Sequence, residues 1–269
     1  MPRRWSPEEE KEKRRELAEL YEHQNRSIGE IAELLGITPT SVYDRLLRLN
    51  ISIQRHLKPG TNKARLIPLP AFSGDLAEFC GIMLGDGHIG TGQLWVTVNA
   101  KTDLPYVTYV QDLFEKLFLF RPRVTARRDA AAVALYLTSS SLVRNLQNIG
   151  LHSPNKVRDQ VGVPAWIFSS TDYRQRFLRG FFDTDGSIYR LKWFDAAQMS
   201  FSNRSRPLLD GTRQALLDLE YHPSRVSDHS VYLTRRRDIE RYIQEIGFGN
   251  AKHRQRAAAF GVMPTVAHT

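Results

Sequence analysis

The sequence predicts an α+β protein in which a small all-helical unit precedes two tandem copies of one αββαββα unit, each with an antiparallel sheet. Three observations carry that expectation. Capped helical segments fill residues 1–55, alternating strands lie between amphipathic helices further on, and the stretch from residue 76 to about 260 contains an internal duplication. The expected divisions are residues 1–55, a linker at 56–73, a first repeat at 74–160 and a second at 161–269.

Ser6, Pro7 and Glu9 read as an N-cap, a first-turn proline and a capping-box acid, so a helix should run through KEKRRELAELYEHQ. Ser27 should cap a second helix, IGEIAELL, ended by Gly36, and Thr38 with Pro39 should start a third, PTSVYDRLLRL. Ile28, Ile31, Ala32, Leu35, Ile37, Val42, Leu46 and Leu47 are the expected core. The segment IAELLGITPTSVYDRLLRL resembles a helix-turn-helix, with Ala32 at a close helix approach, Gly36 in the turn and Val42 pinning the third helix. That likeness places Thr38, Thr40, Ser41, Tyr43, Asp44 and Arg45 towards a DNA major groove and Arg48 on phosphate. The prolines at 59, 68 and 70 exclude a long helix or regular strand from the segment that follows.

The duplication is explicit. LAEFCGIMLGDGHI (76–89) aligns with RFLRGFFDTDGSI (176–188), so that Gly81 meets Gly180, Asp86 meets Asp185 and Ile89 meets Ile188 at an offset of 99. The Tyr-Leu-Thr trio 136–138 meets 232–234, and PNKVR (154–158) answers NAKHR (250–254) in the same order. In each copy an apolar helix ends in Asp-Gly; two strands, a helix, two strands and a closing helix should follow. Leu94, Val96 and Val98 alternate with Gln93, Trp95, Thr97 and Asn99, and Met199 and Phe201 alternate with Gln198, Ser200 and Ser202. Period two describes sheets with one buried and one open face.

A net charge of +9 points to a polyanionic partner. Residues 1–75 hold 13 lysines and arginines against 11 acids, and the remainder holds 25 against 18, most of the excess being arginine. Arginine pairs with phosphates and guanine edges through two hydrogen bonds at once. The open sheet faces and their arginines therefore form an expected DNA surface: Gln93, Trp95, Thr97, Asn99, Lys101, Arg123, Arg127, Arg128, Tyr136 and Thr138 in the first repeat. Tyr189, Arg190, Lys192, Gln198, Ser200, Ser202, Asn203, Arg204, Arg225, Tyr232 and Thr234 are their counterparts in the second. A single cysteine, Cys80, no signal-like leader and no apolar run of membrane length lead to the expectation of a soluble intracellular, cytoplasmic and nucleoid-associated protein, an organellar one remaining open. Scattered histidines and one cysteine exclude a zinc-type nuclease site.

Two small-residue helices ending in Asp-Gly can pack backbone to backbone, which brings Asp86 and Asp185 together. Carboxylates that close repel unless a cation lies between them, and a hard divalent ion such as Mg²⁺ suits oxygen ligands. FCGIMLGDG and LRGFFDTDG resemble the signature helix of the LAGLIDADG homing endonucleases. The resemblance implies a pseudosymmetric monomer with a saddle of two sheets on double-stranded DNA. It implies metal-dependent cleavage of both strands of a long asymmetric site, in the setting of intron homing. Asp86 and Asp185 would bind Mg²⁺ or another divalent cation, with Gly85 and Thr184 beside it, and Lys156 and Lys252 would match the family's catalytic lysines. Lys101 and Arg204 match a second basic position. Leu84 and Gly85 depart from the consensus, and Ala100 stands where a polar side chain such as Asn203 is common, which implies unequal pockets. A non-cleaving transcription regulator and an intron RNA maturase on the same fold are the alternatives.

Overall fold

A computed structural model describes residues 6–24, 26–51, 66–126, 131–151, 158–192 and 196–262. The chain divides into two compact units, Met1–Lys63 and Ala64–Thr269.

The first unit holds α1 (Pro7–Ala18), which continues into a π-helical turn at Glu19–His23, then α2 (Ile28–Leu35) and α3 (Pro39–Arg48). The Ser6–Glu9 and Ser27–Glu30 capping boxes are both formed, and Thr38 Oγ1 accepts the Ser41 N–H. Gly36 ends α2 with φ of 63°, a left-handed conformation that a β-carbon disfavours. Leu17, Tyr21, Ile31, Ala32, Val42 and Leu46 form the core, joined by Leu49 and Ile51. Leu47 is a correction to the expected core: it is 53% exposed. Its neighbour Leu46 takes the inward position, and consecutive residues on a helix point about 100° apart.

The second unit opens with α4 (Gly74–Leu84), β1 (Gly87–Ile89), β2 (Gln93–Asn99), α5 (Leu104–Phe118), β3 (Arg123–Ala126), β4 (Ala132–Thr138) and α6 (Ser140–Asn148). A 3₁₀ turn at Ala165–Ser169 leads to α7 (Thr171–Asp185), β5 (Gly186–Leu191), β6 (Ala196–Ser202), α8 (Arg206–Asp218), β7 (Ser230–Leu233), α9 (Arg236–Glu245) and α10 (Ala251–Ala259). The first repeat is αββαββα as expected, with an antiparallel sheet of order β1-β2-β4-β3. The second departs from it: its sheet is β5-β6-β7, and only one strand separates α8 from α9. The stretch where a second strand was expected makes one isolated bridge, Ser227 to Ser230. Pro223 at its start has no N–H to give to a ladder, and Asp228 and His229 turn the chain through left-handed conformations. Residues expected in the linker pack here instead, since Ile67 N–H donates to Ser141 Oγ at 3.1 Å and Phe72 stacks on Trp166.

α4 and α7 form the centre of this unit. Every residue of α4 from Leu76 to Leu84 is buried. A β-carbon on Gly81 would collide with the Phe177 carbonyl oxygen, and one on Gly180 with that of Glu78. The two helices therefore meet backbone to backbone, which larger side chains forbid. Glu78, 0% exposed on α4, is the charge inside this contact. Its carboxylate lies 2.8 Å from Arg176 Nη2 and 3.5 Å from Arg179 Nε of α7, and accepts the Tyr109 hydroxyl of α5. Burial raises the Glu78 pKa, while both arginines oppose that rise.

Candidate active site

The glycine contact fixes where the two helices end. Asp185 is the last residue of α7, whereas α4 stops at Leu84 and Gly85–Asp86 form the turn beyond it. The two ends converge. An ideal β-carbon on Gly85 would strike the Thr184 side chain and lie 3.4 Å from Asp185 Cγ. The Thr184 hydroxyl is turned back onto its own helix, donating to the Gly180 and Phe181 carbonyls at 3.2 and 3.1 Å. Asp86 is exposed and Asp185 half-buried, so solvent can reach both.

The surroundings of the two aspartates differ. Asn203 Nδ2 donates to Asp185 Oδ2 at 2.6 Å, while Asn203 Oδ1 accepts the Ser205 N–H at 2.8 Å. The register sets Phe201 against Gly186 as it sets Val96 against Gly87, so Asn203 falls level with Val98, and Ala100, the expected counterpart, lies two residues further along. Neither Val98 nor Ala100 carries a side-chain amide.

Two carboxylates with the Gly85 and Thr184 carbonyls nearby make an oxygen-only donor set, which suits a hard divalent cation. Among the described residues no cluster of three or more His, Cys, Asp or Glu could hold a metal ion by itself. A cation at these helix ends would take further ligands from substrate phosphate and water, as magnesium commonly does.

Lys252 lies on α10 and pairs with Asp103 across the repeats, Nζ to Oδ2 at 3.0 Å. Lys156, Arg127 and Arg128 lie outside the described residues. On the first sheet, Trp95 pairs with His88 and Tyr136, and Tyr136 with Arg123, so these four cross the open face together. Trp95 stacks on His88 at 4.0 Å between centroids and lies 5.7 Å from Tyr136. Gln93 faces Thr138, and Thr97 faces Ala134. Asn99 Oδ1 is occupied by the Lys101 and Thr102 N–H groups. On the second sheet Tyr189 faces Gln198, to which its hydroxyl donates at 2.6 Å, and Ser200 faces Tyr232. Ser200 corrects the expectation of an open polar position: it is 6% exposed. Arg190 alternates to the side opposite Tyr189 and so does not share the open face. Lys101, Lys192, Ser202, Arg204, Arg225 and Thr234 are exposed at strand ends or loops. In the first unit Thr40, Tyr43 and Arg48 are exposed on α3, Arg45 is half-buried, and Thr38 and Ser41 are engaged in the cap.

Sequence reasoning missed a buried polar seam beside the aspartates. Asp183 Oδ2 accepts the Gly249 N–H at 2.7 Å, and Asn250 Nδ2 donates to Asp103 Oδ1 at 3.2 Å. His253 is enclosed by Phe182 and Phe248 with Nε2 3.4 Å from the Asp183 carbonyl oxygen, and burial lowers its pKa to about 3. Asp183 was within the motif and could have been flagged as a charge on an otherwise apolar helix turn; the others carried no local signal. Among the described residues, no helix is long and apolar enough to cross a membrane.

Residues 172–247 match the family model of the LAGLIDADG-like domain, so the second repeat, from α7 into α9, carries that domain. A DNA gyrase subunit from Mycobacterium malmoense is 28% identical over 172 residues, covering 61% of this chain and 36% of that protein. The replication factor C small subunit of Thermococcus kodakarensis is 25% identical over 212 residues, covering 74% of this chain and 23% of its own length. The chain thus spans about a third or less of these relatives. Among solved structures, mesophilic variants of the homing endonuclease I-DmoI align with a TM-score of 0.45 at 15% identity, covering 65% of this chain and 95% of theirs. Full-length DUF199/WhiA from Thermatoga maritima aligns with a TM-score of 0.45 at 14% identity, covering 77% of this chain and 66% of its own.

Proposed function

We propose that the chain is a site-specific endonuclease of the homing type, which breaks both strands of a long DNA duplex with a divalent cation, magnesium by expectation, held between Asp86 and Asp185. The observation that carries this reading is the convergence of two aspartate-bearing helix ends on a backbone-to-backbone glycine contact. Packing two helices that tightly has a direct chemical consequence, since it brings together the chain ends that carry Asp86 and Asp185. The net charge of +9 and the aromatic and arginine side chains across the first sheet support a duplex DNA partner. The relatives add support of another kind. Their names share no common activity, yet each contains a stretch similar to this chain amounting to 23–36% of its length. A stretch that recurs inside otherwise different proteins behaves as an insertion unit, which is what a homing enzyme propagates.

In each strand a water oxygen forms a bond to phosphorus as the bond from phosphorus to one sugar oxygen breaks. The water's proton leaves to solvent and the departing oxygen gains one. A bound divalent cation would supply charge neutralisation at the phosphate and a more acidic water. Asp86 and Asp185 would hold it, Asn203 orients the Asp185 carboxylate, and Lys252 offers positive charge to the phosphate. α3 of the first unit, with Thr40, Tyr43 and Arg48 exposed, would make a DNA contact of its own.

One observation favours a second reading, a DNA-binding regulator that does not cut: the first sheet carries no side-chain amide at Val98, the residue level with Asn203, or at Ala100. Incubation with a library of long duplexes, with Mg²⁺ or with chelator, separates the two. Mg²⁺-dependent double-strand breaks are expected; tight binding without breaks in either condition would favour the regulator.

A further inference from the structure

The two pockets differ in how they are furnished, and the difference at the first one involves a residue from far along the chain. Asp103 stands at the N-cap position of α5 in the first repeat, only a few residues past the end of β2, makes no side-chain bond to that helix, and is 7% exposed. Its two carboxylate oxygens are both taken by the second repeat, Oδ1 by Asn250 Nδ2 at 3.2 Å and Oδ2 by Lys252 Nζ at 3.0 Å. Asn250 also caps α10, its Oδ1 accepting the Lys252 N–H at 3.1 Å. Lys252 is therefore fixed at both ends, its backbone by Asn250 and its ammonium by Asp103. An ammonium has three N–H donors, so one bond to Asp103 leaves two for a phosphate.

The corner belongs to the helix-end site. The Asn250 amide nitrogen lies 3.5 Å from the carbonyl oxygen of Asp183, two residues before Asp185, and Gly249 N–H bonds the Asp183 side chain. One turn along α5 from Asp103, Tyr106 is buried, and that burial, with the charges of Asp183, Glu78, Tyr109 and Asp86 after it, holds its hydroxyl well above the usual phenol range. The equivalent cap in the second repeat is Ser205, whose hydroxyl donates to the Val161 carbonyl at 2.7 Å and which has no carboxylate to offer an ammonium.

We propose that Asp103, assisted by Asn250, is a positioning residue that holds Lys252 of the second repeat at the first repeat's end of the site, so that one of the two strand cleavages depends on this bridge and the other does not. The bridge joins the two repeats beside the helix ends, whereas Asn203 bonds Asp185 within the second repeat. The inference rests on the endonuclease reading.

The test follows each strand separately on a duplex selected from a long random library, labelled differently on its two strands, with Mg²⁺. Asp103→Ala should slow the nicking of one strand between about tenfold and a hundredfold, as expected for a misplaced charged group, and leave the other within about twofold. Lys252→Ala should slow the same strand to the same degree, and adding Asp103→Ala to it should cost nothing more, because the aspartate acts only through the lysine. Asp103→Asn, which keeps an acceptor for Asn250, should fall between wild type and Asp103→Ala. Thermal melts confirm that each variant is folded, and a loss of stability alone would slow both strands together. Equal slowing of both strands, an unchanged strand ratio, or multiplied effects in the double variant would overturn the proposal. A wild-type chain that binds but cuts neither strand refutes the endonuclease reading and takes this inference with it.

Discussion

The two repeats share a plan but not a chemistry. In the second, a strand-end amide grips the motif aspartate, Asn203 to Asp185 at 2.6 Å; in the first, the residue level with it is Val98, and Asp86 is exposed in a turn. The first sheet has four strands and an aromatic crossing of His88, Trp95 and Tyr136, whereas the second has three strands and buries Ser200. The charge within the helix pair is also one-sided. Glu78 of α4 aligns with Phe177 of α7, so the buried carboxylate has no counterpart and is met by arginines of the opposite repeat. Duplication fixes a backbone, and each copy is then free to lose any group that the other still supplies.

Removing Glu78 should have the largest structural effect on this pair. Glu78→Ala takes the buried carboxylate from Arg179 and leaves Arg176 only its bond to Asp75 at 2.6 Å, and truncating one side of a buried ion pair costs about 3–5 kcal/mol. Urea unfolding measures it; a loss below about 1 kcal/mol would mean that the arginines find water readily.

Replacing the strand-end Asn203 tests the unequal pockets directly. Asn203→Ala should slow the cleavage that depends on the Asp185 pocket by about tenfold, the scale of one oriented hydrogen bond to a charged group. Asn203→Asp, which keeps an acceptor for the Ser205 N–H but loses the donor to Asp185, should slow the same strand similarly. Both are read from strand-resolved nicking, and identical wild-type rates on the two strands would remove the asymmetry altogether.

The smallest effect concerns acid. Burial holds the His253 imidazole at a pKa of about 3, below the roughly 6.5 of an unfolded histidine. A folded pKa that is depressed means the unfolded chain binds the proton more readily, so this contribution is whole above about 6.5 and is lost as pH falls from there towards 3. His253→Phe, which keeps a ring against Phe182 and Phe248, should flatten the decline of melting temperature between pH 6.5 and 4. Parallel curves for variant and wild type would show that His253 does not govern acid sensitivity.

Much of this architecture is legible locally. Ser6, Ser27 and Thr38 announce helix starts because a cap is a contact between residues three apart. Gly81 and Gly180 announce the helix contact because only small residues allow it. Asp86 and Asp185 follow from the same motif. What escaped the sequence depends on distant partners. Asp103 and Lys252 are 149 residues apart, and neither residue type is unusual where it stands. The missing strand of the second repeat depends on Pro223 and on the left-handed turn at Asp228 and His229. Leu47 fits an apolar helical stripe as well as Leu46 does until the neighbouring helices choose between them.

The central claim is that Asp86 and Asp185 form one shared centre rather than two sites. Single variants Asp86→Asn and Asp185→Asn, incubated with a cognate duplex and Mg²⁺, test it most directly. The account predicts that each substitution alone abolishes double-strand breaks while duplex binding persists. A variant that still cuts both strands at the wild-type rate would contradict it.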